Sequence, residues 1–263
     1  MDGLLRIRAP GFVNEEGSLG NLEGADVVRD IHDRRPGIDP ENDALHGGHE
    51  MIAGAEIGGQ RDDGHCGLRN YYCLPVQPAY FDHNATTPLS EPVLRAMELC
   101  LRDDFGNASS IHTYGQRAKQ RLEHARRQVA QATHARPEDV VFTSGATEAN
   151  NLALLGVARA TGKRHIVTTA IEHPAVLGPA AELDATIVPV GADGVVDPDH
   201  IRRAIRPDTA LVSVMAVNNE LGTLQPIDAL TALAHEAGVL MHVDAVQALG
   251  KTEMPKAADL ISI

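Results

Sequence analysis

Past about residue 79 the apolar residues fall into two alternating rhythms. Short β-branched runs, Val140-Val141-Phe142-Thr143, His165 to Thr168, Thr186 to Val190, Leu211 to Met215 and Leu240 to Val243, have the length and continuity of strands buried on both faces. The stretches between them carry helical spacing and helical punctuation. Ser90-Glu91-Pro92 opens one helix, and Tyr114 to Thr133 continues as another. Asp197-Pro198 caps a third that runs through Ile205, and a fourth starts near Pro226 and stops at Gly238. Strands alternating with helices predict βαβ units, hence an α/β fold with a mainly parallel, doubly wound sheet.

Residues 1–78 hold neither rhythm. Gly-Gly pairs, Arg34-Arg35-Pro36-Gly37 and Asp62-Asp63-Gly64 interrupt them, with fourteen acids against seven arginines and no lysine. Such a balance favours an irregular or disordered extension, so two regions are expected, 1–78 and 79–263. His46, His49, His65, Cys66 and Cys73 lack the short paired spacing of a zinc site, and no metal is expected. The whole chain has 263 residues, 43% of them hydrophobic, and a formal charge of -13, which excludes a basic surface for nucleic acid or anionic membrane. Three cysteines, no leader pattern at the start and no apolar run of membrane-spanning length favour a reducing cytoplasm.

Chemistry is concentrated at the ends of the predicted strands. Ser144-Gly145-Ala146-Thr147-Glu148 joins a strand to a helix, so the amides of Gly145, Ala146 and Thr147 would face out from a helix N-terminus and could hold a phosphate. Many strand-to-helix turns read Gly-Ala-Thr without a ligand. Asp244 follows another strand, at the edge where open α/β sheets bind ligands, and could pair with a protonated ring nitrogen or serve as a helix cap. His173 could stack on a flat ring or be a plain loop histidine. Asn219 and Gln247 offer neutral donors for a ring oxygen.

Five segments then occur in order: Phe81-Asp82-His83-Asn84-Ala85-Thr86-Thr87-Pro88, Phe105-Gly106-Asn107-Ala108-Ser109-Ser110, Glu172-His173-Pro174-Ala175-Val176, Val217-Asn218-Asn219-Glu220-Leu221-Gly222 and His242-Val243-Asp244-Ala245-Val246-Gln247. Together they resemble the cysteine desulfurases of class V aminotransferase fold, NifS/IscS branch, from about Tyr80 to Ile263. The resemblance implies the large domain of a fold type I, aspartate aminotransferase-like transferase, incomplete in this chain, with pyridoxal 5'-phosphate as cofactor. It implies Ala146 and Thr147 at the phosphate, His173 stacked on the ring as the catalytic group assisting proton transfer, Asn219 and Gln247 at the ring oxygen, and Asp244 at the ring nitrogen. It further implies removal of sulfur from L-cysteine to give alanine and an enzyme persulfide, for iron-sulfur or thio-cofactor synthesis. A sulfur-acceptor or scaffold protein and a homodimer belong to the same expectation.

In the family, the segment like Asp259-Leu260-Ile261-Ser262-Ile263 is followed by Ser-x-His-Lys, whose lysine carries the cofactor. Lys119, Lys163, Lys251 and Lys256 do not match that position, and Cys66, Cys73 and Cys100 do not match the persulfide cysteine. The expectation is an N-terminal fragment, inactive alone. The other readings are a related class V enzyme, such as a selenocysteine lyase or an aminotransferase, or a non-catalytic binding fragment. Two packing expectations complete the reading: Cys100 is a core thiol beside Leu94, Met97 and Leu101, and the strand from Leu260 lies uncovered.

Overall fold

The computed structural model describes residues 4–7, as backbone, and 79–263. Except for residues 79–81, these belong to one compact unit formed within 1–21 and 82–263. In chain order the elements are β1 (Leu4–Ile7), α1 (Glu91–Arg102), α2 (Thr113–Ala132), a 3₁₀ turn (Pro137–Asp139), β2 (Val140–Phe142), α3 (Ala146–Thr161), β3 (His165–Thr169), α4 (Pro174–Ala181), β4 (Asp184–Val188), α5 (Pro198–Ala204), β5 (Thr209–Ser213), α6 (Ile227–Glu236), β6 (Leu240–Asp244) and β7 (Leu260–Ser262). They build one sheet in the order β2-β1-β7-β6-β5-β3-β4. The pairs from β7 through β4 are parallel, while β1 runs antiparallel to both β2 and β7.

Two cores follow from strand alternation. Ile166, Leu211 and Leu260 face one side and pack with Ala149, Ala153 and Leu154 of α3 and Val176 and Ala180 of α4. Val167, Val212, Met241, Val243 and Ile261 face the other side, against Ile201 of α5 and Leu230, Leu233 and Ala234 of α6. Each fully buried Leu or Ile here contributes roughly 1.5–3 kcal/mol. The parallel α/β expectation is met, including Asp197, whose carboxylate accepts from the Asp199 amide at 2.9 Å to open α5, and Gly238, whose φ of 69° stops α6.

Three expectations are corrected. Residues 1–78 were expected to be irregular, yet Leu4–Ile7 form a strand in the sheet interior; the rest of that segment, with its histidines, Cys66 and Cys73, lies outside the described residues. With β1 on one side and β6 on the other, β7 is an interior strand, and Leu260 and Ile261 are 4% and 1% exposed rather than uncovered. Cys100 is only partly buried, and none of α1 is buried: Leu94, Met97 and Leu101 are 48%, 47% and 75% exposed. An amphipathic pattern says that a helix has a face to bury without saying what covers it, and among the described residues nothing does. Ser90 precedes α1 but its side chain makes no capping bond. No described helix is long and apolar enough to cross a membrane.

One turn, shortly after β4, is tied to the loop that carries Asn219. Gly194 has a φ of 73°, and its carbonyl accepts from Thr223 Oγ1 at 3.2 Å and Gln225 Nε2 at 2.8 Å, tying it to the chain just after Asn219. A Cβ there would stand 2.9 Å from Leu221 Cδ1 in a left-handed conformation. Gly194→Ala is therefore expected to lower stability by about 1–2 kcal/mol, read as a shifted urea midpoint with unchanged slope.

Candidate active site

The turn from β2 to α3 is an open cradle. Gly145 caps α3 with extended backbone, and the amides of Gly145, Ala146 and Thr147 meet no acceptor among the described residues. A Cβ at Gly145 would find no atom within 4 Å, so the space over the turn is free. Three open amides at the positive end of a 16-residue helix suit an anion. Ser144 does not join them. Its amide and hydroxyl both donate to Glu148 Oε2 at 2.6 Å, and these bonds hold the Glu148 carboxyl below its ordinary range. The expected five-residue cradle is thus Gly145 to Thr147, with Ser144 and Glu148 closing the turn on each other.

Asp244 is the last residue of β6 rather than the first of a loop, and is 6% exposed. Its Oδ1 accepts from the Val246 amide at 3.1 Å and its Oδ2 from Asn150 Nδ2 at 2.8 Å. Burial pushes its pKa up; those two bonds and the nearby His173 pull the other way without cancelling the rise. No Lys or Arg among the described residues pairs with it. A buried carboxylate served only by neutral donors is poised to receive a positively charged group from a ligand.

His173 stands exposed at the start of α4, where its Nδ1 accepts from the Ala175 amide at 3.1 Å. An acceptor Nδ1 places the ring proton of the neutral imidazole on Nε2, which has no protein partner among the described residues. The loop bearing it is clamped to the end of β5 from both sides. Glu172 Oε1 accepts from the Met215 amide at 3.0 Å, and Asn218 Nδ2 donates to the Ile171 carbonyl at 2.9 Å. Asn218 is thus structural: its Oδ1 also accepts from the amides of Glu220 and Leu221.

Asn219 and Gln247 are drawn together by a residue that sequence reasoning used only as part of a motif. Asn84 donates from Nδ2 to the Asn219 carbonyl at 2.9 Å, and its own carbonyl accepts from Gln247 Nε2 at 3.2 Å. Lys251 Nζ donates to Asn84 Oδ1 at 3.3 Å and to Gln247 Oε1. The Gln247 side chain is therefore engaged within the chain, whereas Asn219 contributes its backbone to this knot. Asn150 and Glu172 were the functional candidates missed. The signal for Asn150 was a poor helix former one turn past the cradle.

A cavity of about 230 Å³ lies elsewhere, lined by Gln225, Asp228, Thr252, Glu253, Met254 and Lys256 among others and by none of these groups. Among the described residues no group of three or more His, Cys, Asp or Glu could hold a metal ion.

A parallel sheet whose strand ends and helix N-terminus present an anion cradle, a buried carboxylate and a rim histidine defines a class before it defines a protein. The aminotransferase class-V family model matches residues 79–258, and the chain belongs to that family. Among its relatives, the cysteine desulfurase IscS of Dictyoglomus turgidum is 43% identical over 194 residues, 70% of this chain and 49% of that protein. The solved structure of SspA in complex with cysteine superposes with a TM-score of 0.65 at 37% identity, covering 66% of this chain and 52% of that one. A NifS-like protein gives 0.66 at 40% identity, over 68% and 51%. The chain spans about half the length of the curated relatives it matches.

Proposed function

We propose that this chain forms the cofactor-binding part of a pyridoxal 5'-phosphate-dependent cysteine desulfurase. The observation that carries the reading is the open Gly145 to Thr147 amides together with the buried Asp244, which Asn150 holds one turn further along the same helix. The donor set fits the cofactor: amides and the Thr147 hydroxyl for a phosphate, an unpaired carboxylate for a protonated pyridine nitrogen, and an exposed imidazole for the ring face. When bound, the cofactor supplies an electron sink for the α-carbon substituents of an amino acid. Asp244 would accept the ring N–H and so favour the positively charged ring. His173 would face the ring and could move a proton through Nε2. Asn219 and Gln247 would serve the ring oxygen, Gln247 being held in place by Asn84 and Lys251.

The substrate proposed is L-cysteine, supported by relatives named cysteine desulfurase and by the cysteine held in the SspA structure. In the overall reaction cysteine and an enzyme thiol give alanine and an enzyme persulfide, so the carbon–sulfur bond breaks, a hydrogen replaces sulfur on carbon and the sulfur is carried as S–S. A protein acceptor for that sulfur, for iron-sulfur or thio-cofactor synthesis, a homodimeric assembly and a cytoplasmic setting complete the proposal.

Equilibrium dialysis of the chain with pyridoxal phosphate tests the reading without requiring turnover. Saturable binding is expected, competed by inorganic phosphate. Thr147→Ala should weaken it about fivefold and Asp244→Ala about tenfold to a hundredfold. Absence of saturable binding, or binding indifferent to both substitutions and to phosphate, overturns it.

A further inference from the structure

We infer that Asn150 is a positioning residue for the ring-nitrogen carboxylate, a role that rests on the cofactor reading above. Asn150 sits on α3 with no exposed surface, four residues after Ala146. One helical turn, about 6 Å, therefore separates the phosphate cradle from the group that holds Asp244. Its Nδ2 donates to Asp244 Oδ2 at 2.8 Å, across 94 residues of sequence, while the Val246 amide fixes the other oxygen. The amide thus shows its donor end to the carboxylate, which is the orientation an ionised carboxylate requires.

The choice of residue matters. A lysine or arginine at 150 would pair with Asp244 and compete with the pyridinium; an aspartate would repel it; an apolar residue would leave Oδ2 buried without a donor. Asparagine steadies the charge and leaves it unneutralised. A second observation points the same way: Asn150 Oδ1 is buried with no partner among the described residues, so the side chain is not held by a saturated structural network and its one side-chain bond among those residues is the one to Asp244. Because α3 carries both contacts, the phosphate end and the nitrogen end of the cofactor are spaced by one rigid element.

The test compares the full chain's affinity for pyridoxal phosphate with that for 1-deazapyridoxal phosphate, which has carbon in place of the ring nitrogen. The unaltered chain should prefer pyridoxal phosphate by about tenfold or more, the scale of a charge-assisted hydrogen bond. Asn150→Leu, Asn150→Asp and Asn150→Ser should bring the two ligands within about twofold of each other, while inhibition by inorganic phosphate, which reads the cradle alone, changes by less than about twofold. Loss of phosphate inhibition together with discrimination in all three variants would show a packing role only, and retained discrimination in any folded variant would overturn the inference too. If the unaltered chain binds pyridoxal phosphate with no preference over the deaza analogue, the nitrogen role of Asp244 and Asn150 fails while the cradle stands; if it binds neither ligand, the cofactor reading itself fails.

Discussion

Glu172→Gln is expected to remove a contribution to stability that the unaltered chain loses as pH rises from 4.5 to about 8. Glu172 is 5% exposed in the loop after β3, with Oε1 accepting from Thr169 Oγ1 at 2.6 Å and the Met215 amide at 3.0 Å, and Oε2 without a partner among the described residues. Burial is the largest influence and raises its pKa to about 8; the two bonds oppose the rise and the charge of Asp244 adds to it. The folded chain therefore keeps a proton that the unfolded chain releases above 4.5. This contribution is fully present below that value and falls as pH climbs through the window. The displacement corresponds to at most about 5 kcal/mol. Glutamine keeps the acceptor for both donors and puts an uncharged NH₂ where the protonated oxygen sits. Urea midpoints at about pH 5 and about pH 8 give the readout. A glutamine variant that loses as much as the unaltered chain between those two conditions sinks the argument.

The parallel core was legible because its strands are buried on both faces, and a continuous β-branched run has few other homes. Strand ends were less so. The run Leu211 to Met215 suggested a strand two residues later than the observed Thr209–Ser213, and Thr186 to Val190 one two residues later than Asp184–Val188. In both cases the polar starting residue is recruited by its neighbour: His165 is in register with Asp184 on one side and Thr209 on the other. Register belongs to the pair and is invisible in either strand alone. The same holds more strongly for Leu4–Ile7, four residues whose partners lie at 140–142 and 260–262. At the site, what was readable was position: Asp244 closes β6 and Gly145 to Thr147 open α3, as their places after and before the periodic runs suggest. Residues that act by holding another side chain, Asn150 on Asp244 or Asn84 on Gln247, depend on contacts across 94 and 163 residues, and no local pattern carries them.

On the acid side the expected determinant is His242, and its substitution by glutamine should remove a contribution to stability that is lost as pH falls below 6.5. His242 is fully buried on β6 beneath α3, with Nδ1 2.8 Å from Ser213 Oγ on β5 and Nε2 2.9 Å from Ser262 Oγ on β7. Two hydroxyls satisfy the neutral imidazole, and burial, the single cause, lowers its pKa to about 3. Here the unfolded chain takes up a proton that the folded chain refuses, so this contribution is present above 6.5 and declines as pH drops toward 3. The ceiling is again about 5 kcal/mol. This window overlaps that of Glu172 between 4.5 and 6.5, where the two slopes have opposite sign and cancel. The pair therefore gives a plateau there, with decline on either side of it, alkaline from Glu172 and acid from His242. His242→Gln keeps a donor and an acceptor for the two serines, and should cost about 1–2 kcal/mol at neutral pH through altered shape. As pH falls through the plateau its curve should rise toward that of the unaltered chain, cross it and lie above it. If instead the gap between the two stays constant from about pH 6 to about pH 4, carboxylates elsewhere govern acid unfolding and the buried serine–histidine–serine row does not.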